Sequence, residues 1–255
     1  MKRYLFYICF LFLPLFITTC NKEDSPTEST DEQEILLAGT QPIPDFRNQA
    51  NFNGLMGAVS YDFSQMGDIP INIPMAFAVF GQGVDAGTIT VNGNQLIKGM
   101  EAGQVYYSAP SPANPTQFPS NLDFNNSVHN WTVSGGSGIP SISGNLTSPS
   151  AFSVTSPEPN ASVSRSAQLQ VRWSNSSSAR VLIILQSQSG SKFYLAQDQP
   201  DSGQHIIGTD NLSGFPPGNA ILYVIKYTYK GITASDGKVY VLMAEIVKTS
   251  TIILN

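Results

Sequence analysis

Apolar residues in most of the chain either recur at every second position or form short unbroken runs between clusters of Gly, Pro, Asn and Ser. Alternation with a period of two is typical of half-buried strands, and a short continuous run is typical of a strand buried on both faces. Residues 168–173 alternate strictly, whereas residues 181–185 are entirely aliphatic. We find no helical period in residues 35–255, so the pattern predicts an all-β fold.

The same pattern locates individual strands and two hairpins. Asn92-Gly93 and Asp236-Gly237 each join two apolar segments, and both residue pairs tolerate the positive φ of a two-residue hairpin turn. In residues 220–229, Lys226 and Thr228 lie on the face opposite the tyrosines, so the second half of this strand is expected at the surface. The predicted strands are 55–63, 71–80, 87–91, 104–108, 128–134, 151–155, 168–173, 181–185, 220–229, 239–243 and 251–254.

A domain boundary is predicted near Ser150, where residues 148–157 have the composition of a strand that opens a new sandwich. After it come a Ser-Pro opening, an alternating strand that ends at Trp173, and late tyrosine-rich strands. These features resemble bacterial immunoglobulin-like domains without the cysteine pair of antibody domains, and the resemblance implies a β-sandwich with Trp173 in its core. We therefore expect two β-sandwich domains, an N-terminal one over residues 45–150 and an immunoglobulin-like one over residues 151–255.

The N-terminus is typical of an export signal. Lys2 and Arg3 precede an uncharged apolar run over residues 4–17, which is shorter than the ~20 residues of a membrane-spanning helix. Ile17-Thr18-Thr19-Cys20 follows and resembles the lipobox of bacterial lipoproteins. The resemblance implies cleavage of residues 1–19 and attachment of lipid, such as palmitate, to Cys20. The alternative is an ordinary secretory signal followed by an incidental cysteine.

Residues 20–44 are expected to form a disordered acidic tether between the lipid and the folded body. Residues 21–34 contain six acidic residues and one basic residue and no aliphatic or aromatic residue, so this segment cannot bury enough surface to fold. Lys22-Glu23-Asp24 resembles the acidic export signal of surface lipoproteins in the Bacteroidota. That resemblance implies an outer-membrane protein facing the cell surface, with a periplasm-facing position as the alternative.

The balance of charge argues against one class of function. The whole chain has 13 basic and 18 acidic residues, and residues 35–255 have ten and twelve. Such a balance lacks the basic surface that nucleic-acid binding requires, so no nucleic-acid partner is expected.

No local motif indicates catalysis. His129 and His205 each lie in an apparent strand with no nucleophile pattern beside them, and residues 135–139 lack the last glycine of a nucleophile elbow and are predicted to form a turn. The acidic residues of the body are scattered, so neither a metal site nor a cofactor is expected. The chain is predicted not to be an enzyme; a hydrolase whose site is assembled only in three dimensions is the alternative.

Tyrosines provide the candidate binding residues, because tyrosine combines apolar area with a hydroxyl and is favoured at interfaces. Tyr106 and Tyr107 precede a proline-rich loop over residues 109–121, and Tyr227 and Tyr229 end a strand. The alternative is that all four tyrosines fill strand faces. The sequence thus predicts a lipid-anchored envelope protein that binds or assembles, with the membrane and either another envelope protein or a glycan as partners. A surface glycan-binding accessory protein of a nutrient uptake system is the more specific alternative.

Overall fold

The computed structural model describes residues 52–65, 72–81 and 83–255. The predicted signal peptide over residues 1–19, the lipidation site Cys20 and the predicted tether over residues 20–44 lie outside the described residues. The described residues form strands and one short helix, α1 (Thr209–Ser213), and the prediction of an all-β sandwich fold is confirmed.

The described residues form sixteen strands. The first eight are β1 (Phe52–Gln65), β2 (Asn72–Phe80), β3 (Ile89–Val91), β4 (Asn94–Gln95), β5 (Ile97–Glu101), β6 (Gln104–Ala109), β7 (Val128–Val133) and β8 (Ile142–Thr147). The remaining eight are β9 (Val154–Ser156), β10 (Ser162–Val163), β11 (Leu169–Trp173), β12 (Arg180–Ser187), β13 (Phe193–Pro200), β14 (Gln204–Ile207), β15 (Gly218–Thr233) and β16 (Val239–Leu254).

These strands form one large sheet and two small ones. The nine-stranded sheet has the order β13-β12-β15-β16-β1-β2-β6-β5, with β10 paired to the end of β16. The four-stranded sheet has the order β4-β3-β7-β8, and the three-stranded sheet has the order β14-β11-β9. Strand β16 lies near the middle of the large sheet, antiparallel to β15 and parallel to β1.

Strand β16 differs from its prediction. The sequence pattern predicts two strands, over residues 239–243 and 251–254, but one strand runs without interruption from Val239 to Leu254. Glu245 and Lys248 interrupt the apolar pattern between the two predicted strands. Both residues nevertheless remain in the ladder with β15, and Lys248 forms a salt bridge with Asp62 of β1. A polar residue whose charge is neutralised by a neighbouring strand need not end a strand.

The two small sheets cover the same face of the large sheet. The first hydrophobic cluster joins Trp131, Val133, Ile142 and other residues of the four-stranded sheet to Leu242 and its neighbours on the large sheet. The second cluster joins Val171, Trp173 and other residues of the three-stranded sheet to Ile246, Ile252 and Leu254 of β16. The β16 members of both clusters have even numbers, and even positions of one strand point to one side of a sheet.

The predicted boundary near Ser150 lies where the chain passes from the first cluster to the second. Residues on both sides of it contribute to the large sheet, because β1 pairs with β16. The opposite face of that sheet also carries buried apolar side chains. Examples are Leu55, Val59, Val241, Met243 and Ile225.

One surface prediction is wrong. The sequence pattern places Lys226 in an exposed half of its strand, but its side chain is fully buried in the structure. Its ammonium group lies 3.0 Å from the carboxylate of Asp201 and donates to the backbone carbonyls of Ser174 and Asn175. Charge neutralisation and three hydrogen-bond acceptors make the burial of a lysine tolerable.

Candidate functional site

Tyr106 and Tyr107 lie next to each other on β6 but point to opposite faces of the large sheet. The ring of Tyr107 is 1% exposed. Its hydroxyl donates to the carboxylate of Asp85 at 2.7 Å and accepts from the Ala86 N–H at 2.8 Å. Burial, and then the bond to Asp85, raises the pKa of Tyr107 to about 12. Tyr106 is half-buried, and its ring lies against Gly99 of β5.

Asp85 completes this arrangement as the acceptor that the buried tyrosine needs. Its carboxylate also accepts from the Gly87 N–H at 2.9 Å and forms a salt bridge with Lys98 at 3.0 Å. The bond from Tyr107, followed by those from Gly87 and Lys98, lowers the pKa of Asp85 to about 2. Tyr107 therefore fastens the segment before β3 to the large sheet, which is a structural role.

Tyr227 and Tyr229 lie on β15, which three intervening strands separate from β6 in the large sheet. Their rings stack with centroids 6.2 Å apart. Tyr227 is fully buried, and its hydroxyl donates to Asp198 at 3.1 Å. Burial, and then the charge of Asp198, raises the pKa of Tyr227. Tyr229 is half-buried, so Tyr106 and Tyr229 are the two predicted tyrosines with rings partly at the surface, and the structure keeps them apart.

The two histidines lie in different environments. His129 is fully buried on β7, with Nε2 2.7 Å from the Asp123 carbonyl oxygen and the ring of Phe124 at its edge. Burial lowers the pKa of His129. Nε2 of His205 on β14 lies 2.8 Å from the Tyr194 hydroxyl on β13, and burial lowers the pKa of His205 as well. The two histidine rings thus contact a backbone carbonyl, a hydroxyl and aromatic rings.

The proline-rich segment predicted as a loop connects β6 to β7. Asn114 N–H donates to the carbonyl and hydroxyl oxygens of Ser111, and Gln117 N–H donates to the Asn114 carbonyl, so the loop begins with two successive turns. Its end is held by Asn94, whose side chain donates to the Ser120 carbonyl at 2.6 Å and accepts from the Ser120 N–H at 2.9 Å. Phe118 within it is 44% exposed. The loop is therefore an ordered feature that borders the four-stranded sheet.

The outward side of the four-stranded sheet presents uncharged polar side chains in register. Cross-strand pairs place Gln95, Thr90, Thr132 and Ser143 in one row, because each lies opposite the next. Asn130 lies opposite Asn145 in a second row, and Val128 lies opposite Thr147 in a third. We call the following residues the polar face: Thr90, Gln95, Asn130, Thr132, Ser143, Asn145 and Thr147. All are exposed except Thr90, which is half-buried.

Hydrogen bonds and a packed underside hold the polar face in place. The hydroxyl oxygens of Thr90 and Thr132 lie 2.7 Å apart. At the β3–β4 turn, the Asn92 side chain accepts from the Asn130 N–H at 2.8 Å and donates to the Asn121 carbonyl at 2.9 Å. The intervening positions of β7 and β8 point inward into the first cluster, with Trp131 1% exposed. The face is thus a fixed array of hydroxyl and amide groups.

The sequence contains a signal for the polar face that the prediction based on tyrosines misses. Residues 124–157 contain no Asp, Glu, Lys or Arg, in a chain where 12% of residues are charged. Within this stretch, polar residues occupy the three outward positions of β8 and two of the three outward positions of β7, where Val128 is the exception. Lack of charge together with strand alternation indicates an unusual outer surface.

Two general features of the described residues bear on ligands and membranes. The described residues include no group of three or more His, Cys, Asp or Glu side chains that would hold a metal ion. In the same residues, no helix has the length and apolar character needed to span a bilayer.

No protein-family model matches the chain, and neither does any curated protein. One solved structure, from work on host cell surface retention of a bacterial ice-binding adhesin, is similar with a TM-score of 0.21 and 13% identity. That match covers 82% of this chain and 66% of the other, slightly less than two thirds of its length. A TM-score this low carries no argument about fold or function.

Proposed function

We propose that this protein is a lipid-anchored binding protein of the bacterial outer membrane that acts without catalysis. The observation that carries the proposal is the polar face, a rigid and exposed array of hydroxyl and amide groups without charge. Surfaces of soluble proteins usually intersperse charged residues of both signs for solubility. A surface that omits them while keeping fixed hydrogen-bonding groups is suited to contact with a partner, since charged groups are depleted at the centre of interfaces.

The sequence supports the location. The apolar run over residues 4–17 and the segment Ile17-Thr18-Thr19-Cys20 match a lipoprotein signal, and one acylated cysteine with more than one chain anchors stably. The acidic residues after Cys20 support display at the cell surface, and the alternative remains a periplasm-facing position. In this arrangement the lipid supplies the membrane contact, and the β-sandwich body contacts another envelope component.

Two measurements on the full chain test the proposal. Mass spectrometry of the native protein is expected to find Cys20 as an acylated N-terminus, and Cys20→Ser is expected to release the body into the soluble fraction. The released Cys20→Ser protein should then bind washed cell envelopes saturably, because the binding surface is independent of the anchor. A free, unacylated N-terminus overturns the anchoring, and a Cys20→Ser protein that does not bind envelopes overturns the binding function.

Protease treatment of intact cells tests the side of the membrane. Digestion of the body together with known surface proteins supports outward display, and a body that survives while surface proteins are lost places it on the periplasmic side.

A further inference from the structure

We infer that the polar face binds a neutral, hydroxyl-rich polysaccharide that lies across strands β3, β7 and β8. This inference rests on the proposed binding function and adds the chemical class of the ligand. Four properties of the face support it: the spacing of its polar groups, their donor and acceptor character, the absence of charge and the rigidity of the sheet beneath them.

The spacing of the face suits a polymer of sugar rings. Neighbouring strands lie about 4.8 Å apart, and residues two apart on one strand are separated by roughly 6.7 Å. The row Thr90, Thr132 and Ser143 therefore repeats once per strand, and Asn130 and Asn145 form a parallel row beside it. A regular grid of this size offers one polar side chain for each ring of an extended saccharide chain.

The chemistry of the side chains matches that of sugar hydroxyls. Threonine and serine hydroxyls both donate and accept hydrogen bonds, and asparagine offers two donors and an acceptor. Each sugar hydroxyl also donates and accepts. Apart from the exposed Val128, the outward side chains of β7 and β8 are of these types. They can pair with hydroxyls in several rotational states, which a row of carboxylates or ammonium groups cannot do.

The charge distribution selects a neutral ligand. No charged side chain occurs in residues 124–157, which include β7 and β8. A polysaccharide with carboxylate or sulfate groups would lose solvation on this face and find no cation there in return. The outward side of the three-stranded sheet differs, because Arg172 is exposed there beside Gln170. The lack of charge is therefore a property of the polar face and not of both small sheets.

The face also loses little conformational entropy on binding. Six of its seven side chains are short Thr, Ser or Asn side chains, and Gln95 is the one long side chain. Immobilising a long Lys, Arg, Gln or Glu side chain costs about 1.5–2 kcal/mol. The bonded hydroxyls of Thr90 and Thr132 are already fixed at 2.7 Å. Trp131 and Val133 pack beneath them in the first cluster. A preorganised surface of this kind converts weak individual hydrogen bonds into useful affinity.

The test is affinity electrophoresis of the full-length Cys20→Ser protein in gels that contain one polysaccharide each. The neutral probes are dextran, soluble starch, laminarin and yeast mannan, and the charged probes are polygalacturonate and heparin. Retardation by at least one neutral probe and by neither charged probe is expected. Retardation by any charged probe, or by none of the probes, overturns the inference.

Two matched variants locate the binding. Thr132→Lys places a charge at the centre of the polar face and is expected to weaken binding of the neutral probe at least tenfold. Gln170→Lys places the same charge on the outward side of the three-stranded sheet and should leave binding unchanged. Asn145→Ala provides a second test on the face without added charge and should weaken binding severalfold. Circular dichroism and the urea midpoint check that each variant is folded; binding that survives in folded Thr132→Lys and Asn145→Ala proteins overturns the assignment.

Failure of this inference can be told apart from failure of the proposed function. A protein that binds washed envelopes but no neutral polysaccharide retains the binding function and loses only the ligand class. A protein that binds neither envelopes nor polysaccharides loses both.

Discussion

At the scale of single residues, the ion pair of Lys226 and Asp201 has both side chains fully buried. All three ammonium donors are used, since the Asp201 carboxylate and the carbonyls of Ser174 and Asn175 lie within 3.1 Å of the Lys226 nitrogen. The carboxylate in turn accepts from the indole N–H of Trp173 at 2.6 Å. Burial lowers the pKa of Lys226, and the bond from Lys226 to Asp201 opposes that shift. The pair thus links β15 to the core tryptophan of the three-stranded sheet.

Breaking this pair from either side should destabilise the protein strongly. Lys226→Met and Asp201→Asn are each expected to lower the free energy of unfolding by about 3–5 kcal/mol, because each leaves one buried charge without its counter-charge. Urea denaturation followed by circular dichroism measures the change. The double variant Lys226→Met with Asp201→Asn should be more stable than either single variant, since no buried charge remains and the amide oxygen can still accept the Trp173 N–H. A single variant as stable as the unmodified protein would show that the pair is not formed.

At the scale of strands and turns, the four-stranded sheet depends on a glycine at its entrance. Gly87 has φ +82, and a Cβ atom there would lie 2.3 Å from the Ser134 hydroxyl and 2.5 Å from the Gly135 carbonyl oxygen. Gly93, in the β3–β4 turn, has φ +80, but its Cβ position is open within 4 Å. A side chain at Gly93 would therefore meet backbone strain alone, whereas a side chain at Gly87 would meet backbone strain and a steric clash.

Alanine substitutions at these two glycines should differ in effect. Gly93→Ala is expected to lower the free energy of unfolding by about 1–2 kcal/mol, the penalty of a left-handed backbone for a residue with a side chain. Gly87→Ala should lower it by a further ~1–3 kcal/mol, because the methyl group must displace the end of β7 from the start of β3. Urea midpoints of the two variants give the comparison. Equal losses would contradict the close approach at Gly87.

The strands that the sequence predicts well are those whose local pattern matches their burial. Leu169, Val171 and Trp173 are buried along β11 as the alternation predicts, and residues 181–185 of β12 are buried throughout. The predicted two-residue turn forms at Asn92 and Gly93, which both have positive φ. The predicted hairpin at Asp236-Gly237 also forms, but its turn spans residues 234–238 and only Gly237 has positive φ. The pattern does not predict β8, because its sequence has two apolar residues separated by Ser, Gly and Asn. The parallel pairing of β1 with β16 joins residues too distant in sequence for any local pattern to indicate.

Site residues are harder to predict, because residue type alone does not determine exposure. Tyr107 and Tyr227 are candidates on account of their rings, but long-range pairing buries both and gives their hydroxyls to Asp85 and Asp198. The polar face is difficult to predict for a different reason. No single threonine, serine or asparagine of the face stands out as a binding residue in the sequence, and these residues form one surface only because β3, β7 and β8 are neighbours in the sheet.

At the scale of the whole molecule, β16 connects the two hydrophobic clusters. Tyr240, Leu242 and Ala244 belong to the first cluster, and Ile246, Ile252 and Leu254 belong to the second. The parallel ladder with β1 attaches the N-terminal strands to this same strand. Disrupting either cluster would leave part of β16 without its packing, so the clusters should lose structure together. The sequence predicts two domains, over residues 45–150 and 151–255. If these two domains fold independently, each cluster should lose structure without the other.

Unfolding of the full-length Cys20→Ser protein is accordingly expected to be a single cooperative transition. The chain has two tryptophans, and the structure places Trp131 in the first cluster and Trp173 in the second. Trp173→Phe therefore leaves a fluorescent reporter in the first cluster, and Trp131→Phe leaves one in the second. Within each variant, the fluorescence and circular dichroism midpoints in urea should coincide, as two-state unfolding requires. A circular dichroism curve with two steps, each followed by only one of the two reporters, would instead establish two independent domains that meet at a shared sheet.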